Sequence, residues 1–231
     1  MKKIVSKILA SIAVIAFSLT NTSCSNDSSQ DLKVTDSKVT EMTLEEAENQ
    51  QNTNLKAANV YTIKKYIFNR SAGANGLGHV GVAFELKATI NGVNYTSFYT
   101  GSVEGSSLYG IPLPYISPGS NNGGWGGAAY QYSTQPQMLA RFRSLGYNSY
   151  KFGGAFVSTT QAISNNSKAI LAAFPGRGYN VAGNNCMDAA YQVITSFSGN
   201  NGNPSVPSQF FPNNWYNALT VSLGWSNAVA L

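Results

Sequence analysis

Two side chains stand apart in this chain of 231 residues: His79, its only histidine, and Cys186, one of two cysteines. Gly183 and Asn184 supply turn chemistry ahead of Cys186, and Asn185 is a good N-cap, so a helix is expected to begin there. Cys186 then lies in the first turn, where the positive end of the helix dipole favours a thiolate. Ala190, Val193, Ile194 and Phe197 recur at three- and four-residue spacing and define the inward face, and Cys186 shares it. A thiolate with an imidazole in reach can attack a carbonyl carbon and return the proton to the leaving group. Each residue also has a plainer account. A free cysteine is commonly a small buried hydrophobe, and a strand-end histidine can be satisfied by backbone groups.

The elements that must bring the two together begin with a hairpin. Val80, Val82, Phe84 and Leu86 alternate as a strand does, and Asn91-Gly92 is a strong type I′ turn signal. If that turn sets the register, position 90 faces 93 and paired numbers sum to 183. His79 then faces Glu104, on the same side as Ser102 and near Thr100. Glu104 is therefore the expected partner of the imidazole, with Ser102 and Asn94 behind it; a bulge in the ribbon would shift the pairing. Asp188 falls early in the expected helix and complements its dipole.

Around this hairpin the sequence predicts a strand over 59–69, a helix over 136–145 and a strand over 150–157. A helix over 160–174, the cysteine helix and a short helix over 213–223 follow. Residues 105–132 read as a long loop, punctuated by Pro112, Pro114, Pro118 and the glycines around Trp125. Its aromatic residues Tyr109, Tyr115, Trp125 and Tyr130 either wall a groove or pack beneath the loop.

Composition narrows the function classes. Residues 1–23 carry Lys2, Lys3 and Lys7 followed by an apolar run too short to span a bilayer, as an export signal does. Cys24 follows small residues, an arrangement that resembles a bacterial lipoprotein signal; Asn21 stands where that signal has an aliphatic residue. The resemblance implies lipidation of Cys24 and a protein exported and anchored to a bacterial membrane, facing the periplasm or the surface. Residues 24–57 hold seven of the ten acidic residues and no aromatic one, and read as a flexible acidic tether. Residues 43–51 allow a brief helix there, with Thr43 and Glu46 as a capping box. Beyond residue 57, nine Lys and Arg face three acids, leaving +6 on the domain at 58–231. That favours an anionic partner, and the scatter of the basic residues argues against nucleic acid. With one histidine and two cysteines, neither a disulfide framework nor an ordinary zinc site is expected, and no sequence signal asks for a cofactor. A monomer is expected.

Gly78-His79-Val80-Gly81-Val82, followed about a hundred residues later by Asn184-Asn185-Cys186, resembles the circularly permuted branch of the papain-like NlpC/P60 superfamily. The resemblance spans residues 59 to about 200 in the order of elements. It implies an α+β, papain-like fold: an antiparallel sheet packed against helices, with the catalytic cysteine at a helix N-terminus. It further implies Cys186 as nucleophile and His79 as base. The oxyanion would sit on the Cys186 backbone N–H, with Asn185 supporting it, and the third position would fall to Glu104. The expected function is a thiol-dependent hydrolase of an amide bond, most plausibly in cell-wall peptide of the peptidoglycan type. The same pair would also serve an ester or lipid acyl substrate, as hydrolase or acyltransferase. A different class stays open: a non-catalytic surface lipoprotein binding glycan, peptide or protein through its Tyr-, Trp- and Asn-rich loops.

Overall fold

The computed structural model describes residues 42–49, 59–105, 115–119, 124–158, 160–198, 206 and 211–231. The leader, Cys24 and Tyr109 lie outside them. The strands are β1 (Val60–Asn69), β2 (Val80–Ile90), β3 (Val93–Val103), β4 (Tyr115–Ile116), β5 (Gly124–Tyr132), β6 (Ser149–Ser158), β7 (Tyr179–Asn180) and β8 (Val229–Ala230). The helices are α1 (Leu44–Asn49), α2 (Gln135–Ser144), α3 (Ala162–Ala172), α4 (Cys186–Ser198) and α5 (Pro212–Ala218). Six strands form one sheet in the order β5-β3-β2-β1-β6-β8, with antiparallel pairing throughout. β4 and β7 make a separate ribbon. The fold is α+β, an antiparallel sheet packed with helices.

Strand alternation divides the core in two. Val80, Val82, Phe84 and Leu86 of β2 join Ile63 and Ile67 of β1 against the apolar faces of α3 and α4. Tyr66, Phe68, Ala83 and Phe98 point the other way, onto Met138 and Phe142 of α2. Phe68 and Phe142 stack with ring centroids 3.5 Å apart. Each such buried side chain contributes on the order of 1.5–3 kcal/mol.

The Asn91-Gly92 turn has φ of 51° and 80°, as a type I′ hairpin requires. From Ile90↔Val93 to Val82↔Gly101 every partner sum is 183, with no bulge. α2 opens with a full capping box, Thr134 and Gln137 bonding each other's amides, and has proline in its first turn.

Two expectations change. The stretch expected as a loop over 105–132 contains the nine-residue strand β5. Its glycines have low strand propensity, but a helix lies directly on them: a Cβ at Gly126 would collide with the Leu171 carbonyl oxygen. Trp125 and Tyr130 pack against the second core cluster, while Tyr115 stays 57% exposed. The second change concerns the tether. The expected capping box at Thr43 and Glu46 forms, yet α1 buries Leu44 and Ala47 in the main core. Lys168 of α3 pairs with Glu48 at 3.2 Å, so residues 44–49 pack with the folded domain. Two apolar residues three apart suffice to seat one helical turn. Among the described residues no helix is long and apolar enough to cross a membrane.

Candidate active site

Cys186 is the first residue of α4, and the cap behind it is complete. Asn185 Oδ1 accepts from the backbone N–H of Met187 (2.8 Å) and Asp188 (3.3 Å), and Asp188 Oδ2 accepts from the Asn185 N–H (3.0 Å). This reciprocal arrangement fixes the first turn. Asn185 Nδ2 donates to the Val181 carbonyl at 3.1 Å. Asn185 thus supports the helix start, with both ends of its amide engaged, and Asp188 serves the cap. The Cys186 N–H is the first-turn donor nearest the sulfur.

His79 stands one residue before β2, and its ring meets Glu104 and Ser102, two of the neighbours that the hairpin register predicts. Nε2–H donates to Glu104 Oε2 at 3.1 Å and lies 2.9 Å from Ser102 Oγ. The Ser102 hydroxyl donates to the Val80 carbonyl at 3.2 Å, which leaves it an acceptor towards the ring. The Cys186 sulfur lies close enough to the imidazole for its charge to act on the ring, and with Nε2 committed, Nδ1 is the nitrogen left to face it. Asn94 is removed from the site: it pairs with Thr89 beside the hairpin tip and is bonded to that side chain at 2.7 Å.

The charges hold one another. Burial disfavours a charged imidazole, but the Cys186 sulfur and the Glu104 carboxylate overcome it and raise His79 to about 10. Burial likewise opposes ionisation of Glu104, yet the His79 charge and its hydrogen bond, Arg70 and the Trp125 N–H bring it down to about 2. Each partner stabilises the ionised form of the other. The closeness comes with burial: Cys186 is 2% exposed and His79 5%.

Several contributors carried no local sequence signal. Trp125 Nε1–H donates to Glu104 Oε1 at 3.3 Å, and Arg70 Nη2 donates to Oε2 at 3.4 Å. Tyr147 OH donates to Ser102 Oγ at 3.0 Å from the loop after α2. The Tyr179 ring packs against Gly105. Burial, then the charges of Cys186, Glu104 and Asp188, push the Tyr179 phenol up to about 12. Arg70 also pairs with His79 through two backbone hydrogen bonds across the loop joining β1 to β2.

The site therefore joins a sulfur, an imidazole and a carboxylate in that order. Among the described residues no cluster of three or more His, Cys, Asp or Glu could hold a metal ion. Protein-family models, curated proteins and solved structures were each compared with this chain, and none matches it.

Proposed function

We propose that the protein is a thiol-dependent hydrolase that cleaves an amide bond in cell-wall peptide, on a permuted NlpC/P60-like version of the papain-like fold. The observation that carries the reading is the His79 ring paired with the Glu104 carboxylate at 3.1 Å and within reach of the Cys186 sulfur's charge. In this scheme the Cys186 thiolate attacks the carbonyl carbon, and the developing oxyanion takes the Cys186 N–H at the start of α4. The His79 imidazolium gives its Nδ1 proton to the leaving amine, and a thioester remains. His79, now neutral, takes a proton from water; the resulting hydroxide attacks the thioester, the acid leaves and the ion pair is restored. Glu104 keeps the ring oriented and compensates its charge throughout. Tyr179, whose phenol feels the charges of Cys186 and Glu104, is the candidate for a second oxyanion donor.

The leader motif supports an exported protein held at a bacterial membrane through lipidated Cys24, which would bring the domain to its wall substrate. Incubation of purified muropeptides with wild type and Cys186→Ala tests the chemistry. New amine released by the wild type alone is the expected result, and equal release by both ends the proposal. A short-chain phospholipid run in parallel separates the amide substrate from a lipid acyl ester.

The burial of the sulfur favours a second reading, in which the pair is structural and the protein binds without catalysis. Alkylation by iodoacetamide, followed on the Cys186 peptide by mass spectrometry, decides between them. Rapid labelling below pH 7 that is slowed at least tenfold in His79→Ala fits an activated nucleophile. Slow labelling indifferent to His79 fits a packed thiol.

A further inference from the structure

His79 closes an eight-residue loop, 71–78, rather than sitting within a strand. The loop ends are tied by the Arg70 N–H to the His79 carbonyl (2.8 Å) and the His79 N–H to the Arg70 carbonyl (3.1 Å). Inside it, Ala74 and Asn75 hold φ of 48° and 58°, a region that non-glycine residues rarely adopt. Gly73 folds back so far that a Cβ there would stand 2.7 Å from the His79 Cβ. Such a path needs outside support, and one side chain from the other end of the sequence supplies it.

Asn213, in the first turn of α5, occupies the inside of the loop. Its Nδ2 donates to the carbonyls of Ser71 (3.1 Å) and Gly76 (2.9 Å), and its Oδ1 accepts from Asn69 Nδ2 (3.1 Å). The Asn213 backbone N–H donates to the Leu77 carbonyl at 3.1 Å. Gly78, at φ 96°, is pressed against it; a Cβ there would lie 2.8 Å from the Asn213 nitrogen. The bonds span the loop from Asn69, two residues before it, to Leu77, two residues short of His79. Both donors and the acceptor of the amide are used, so no other side chain of this size satisfies all three partners.

We propose that Asn213 is a positioning residue for His79, an amide staple across the 71–78 loop that sets where the imidazole stands between Cys186 and Glu104. Its importance for hydrolysis rests on the reading of the site given above, whereas its effect on the ring does not. The groups that face the ring are Cys186, Glu104, Ser102 and Tyr147, with Arg70 behind Glu104.

The test uses the full chain with Asn213→Ala and the near-isosteric Asn213→Asp, which keeps an acceptor for Asn69 and loses the two donors. Because the chain has a single histidine, ring resonances of histidine-labelled protein report His79 without ambiguity. The expected result is a ring titration displaced at least one pH unit towards the free value of about 6.5. Labelling of Cys186 by iodoacetamide at pH 6 should slow roughly tenfold, as a displaced catalytic group does, with the overall fold retained by circular dichroism. A folded variant whose His79 ring titrates as in the wild type overturns the proposal. If the alanine chain does not fold, the aspartate chain decides. If neither folds, Asn213 is a stability residue and the proposal falls. Wild type that releases nothing from muropeptides, alongside a displaced ring in the variants, removes the substrate reading and leaves the staple standing.

Discussion

Glu104→Gln removes a charge from the site while keeping its shape. At 3.1 Å between Nε2 and Oε2, two unit charges attract by about 5 kcal/mol at an effective dielectric of about 20. That figure is an upper bound. Arg70 shares the same oxygen, and the Glu104 side chain keeps 21% of its surface in water, which screens the pair. A charged hydrogen bond under those conditions is worth about 1.5–3 kcal/mol, equivalent to about one to two pH units on the imidazole. The carboxylate also accepts from three donors, those of His79, Arg70 and Trp125. The single oxygen of an amide cannot serve all three, so the variant loses a further 1–3 kcal/mol, roughly, in overall stability. Histidine-labelled protein titrated by NMR should show His79 moving down by that one to two units. The loss in kcat/KM on an active substrate should be about 10–100-fold. A folded Glu104→Gln protein whose ring titrates as in the wild type would refute the argument, because Glu104 would then be a neighbour of the imidazole and not its partner.

Three further outcomes follow from the same geometry. Stability should depend on pH with two limbs. Glu104, lowered from 4.5 to about 2, contributes fully above 4.5 and loses its contribution as the pH falls through 2. His79, raised from 6.5 to about 10, contributes fully below 6.5 and loses its contribution as the pH rises through 10. Urea unfolding across pH should therefore show this pair contributing most near pH 5–6, with the acid limb reduced in Glu104→Gln. Asn185→Ala should cost about 1 kcal/mol by the same assay through loss of the cap, whereas Asn185→Asp should recover most of it; no loss in the alanine variant would contradict the cap assignment. Tyr179→Phe should lower kcat about 10- to 100-fold with little change in KM if its hydroxyl meets the oxyanion. A change confined to KM would make Tyr179 a substrate contact.

The hairpin half of the site was legible because a two-residue turn at Asn91-Gly92 leaves one register, and that register runs unbroken to Val82↔Gly101. The cysteine half was legible because capping chemistry is local: Asn185 and Asp188 are three residues apart. What escaped was non-local. Trp125 and Tyr147 reach the site from segments 21 and 45 residues away from their partners, and neither segment carries a pattern pointing there. β5 was hidden because its glycines answer to the backbone of α3, not to strand propensity. The α1 helix was readable from its capping box, but its burial was not, because two apolar side chains in an acidic stretch are too few to mark a packed face.

The unbroken β2–β3 ribbon also works as a measuring rod. Its arms run eleven residues each, about 36 Å at a strand's rise, and the identity of the residue opposite the imidazole is counted from the far tip. Lengthening the tip itself leaves that count alone. Removing one residue from the β3 arm moves its neighbours to the opposite face and presents the ring with glycine, Gly105, in place of a carboxylate. The chemistry of the site is in this sense written at a turn that never approaches it.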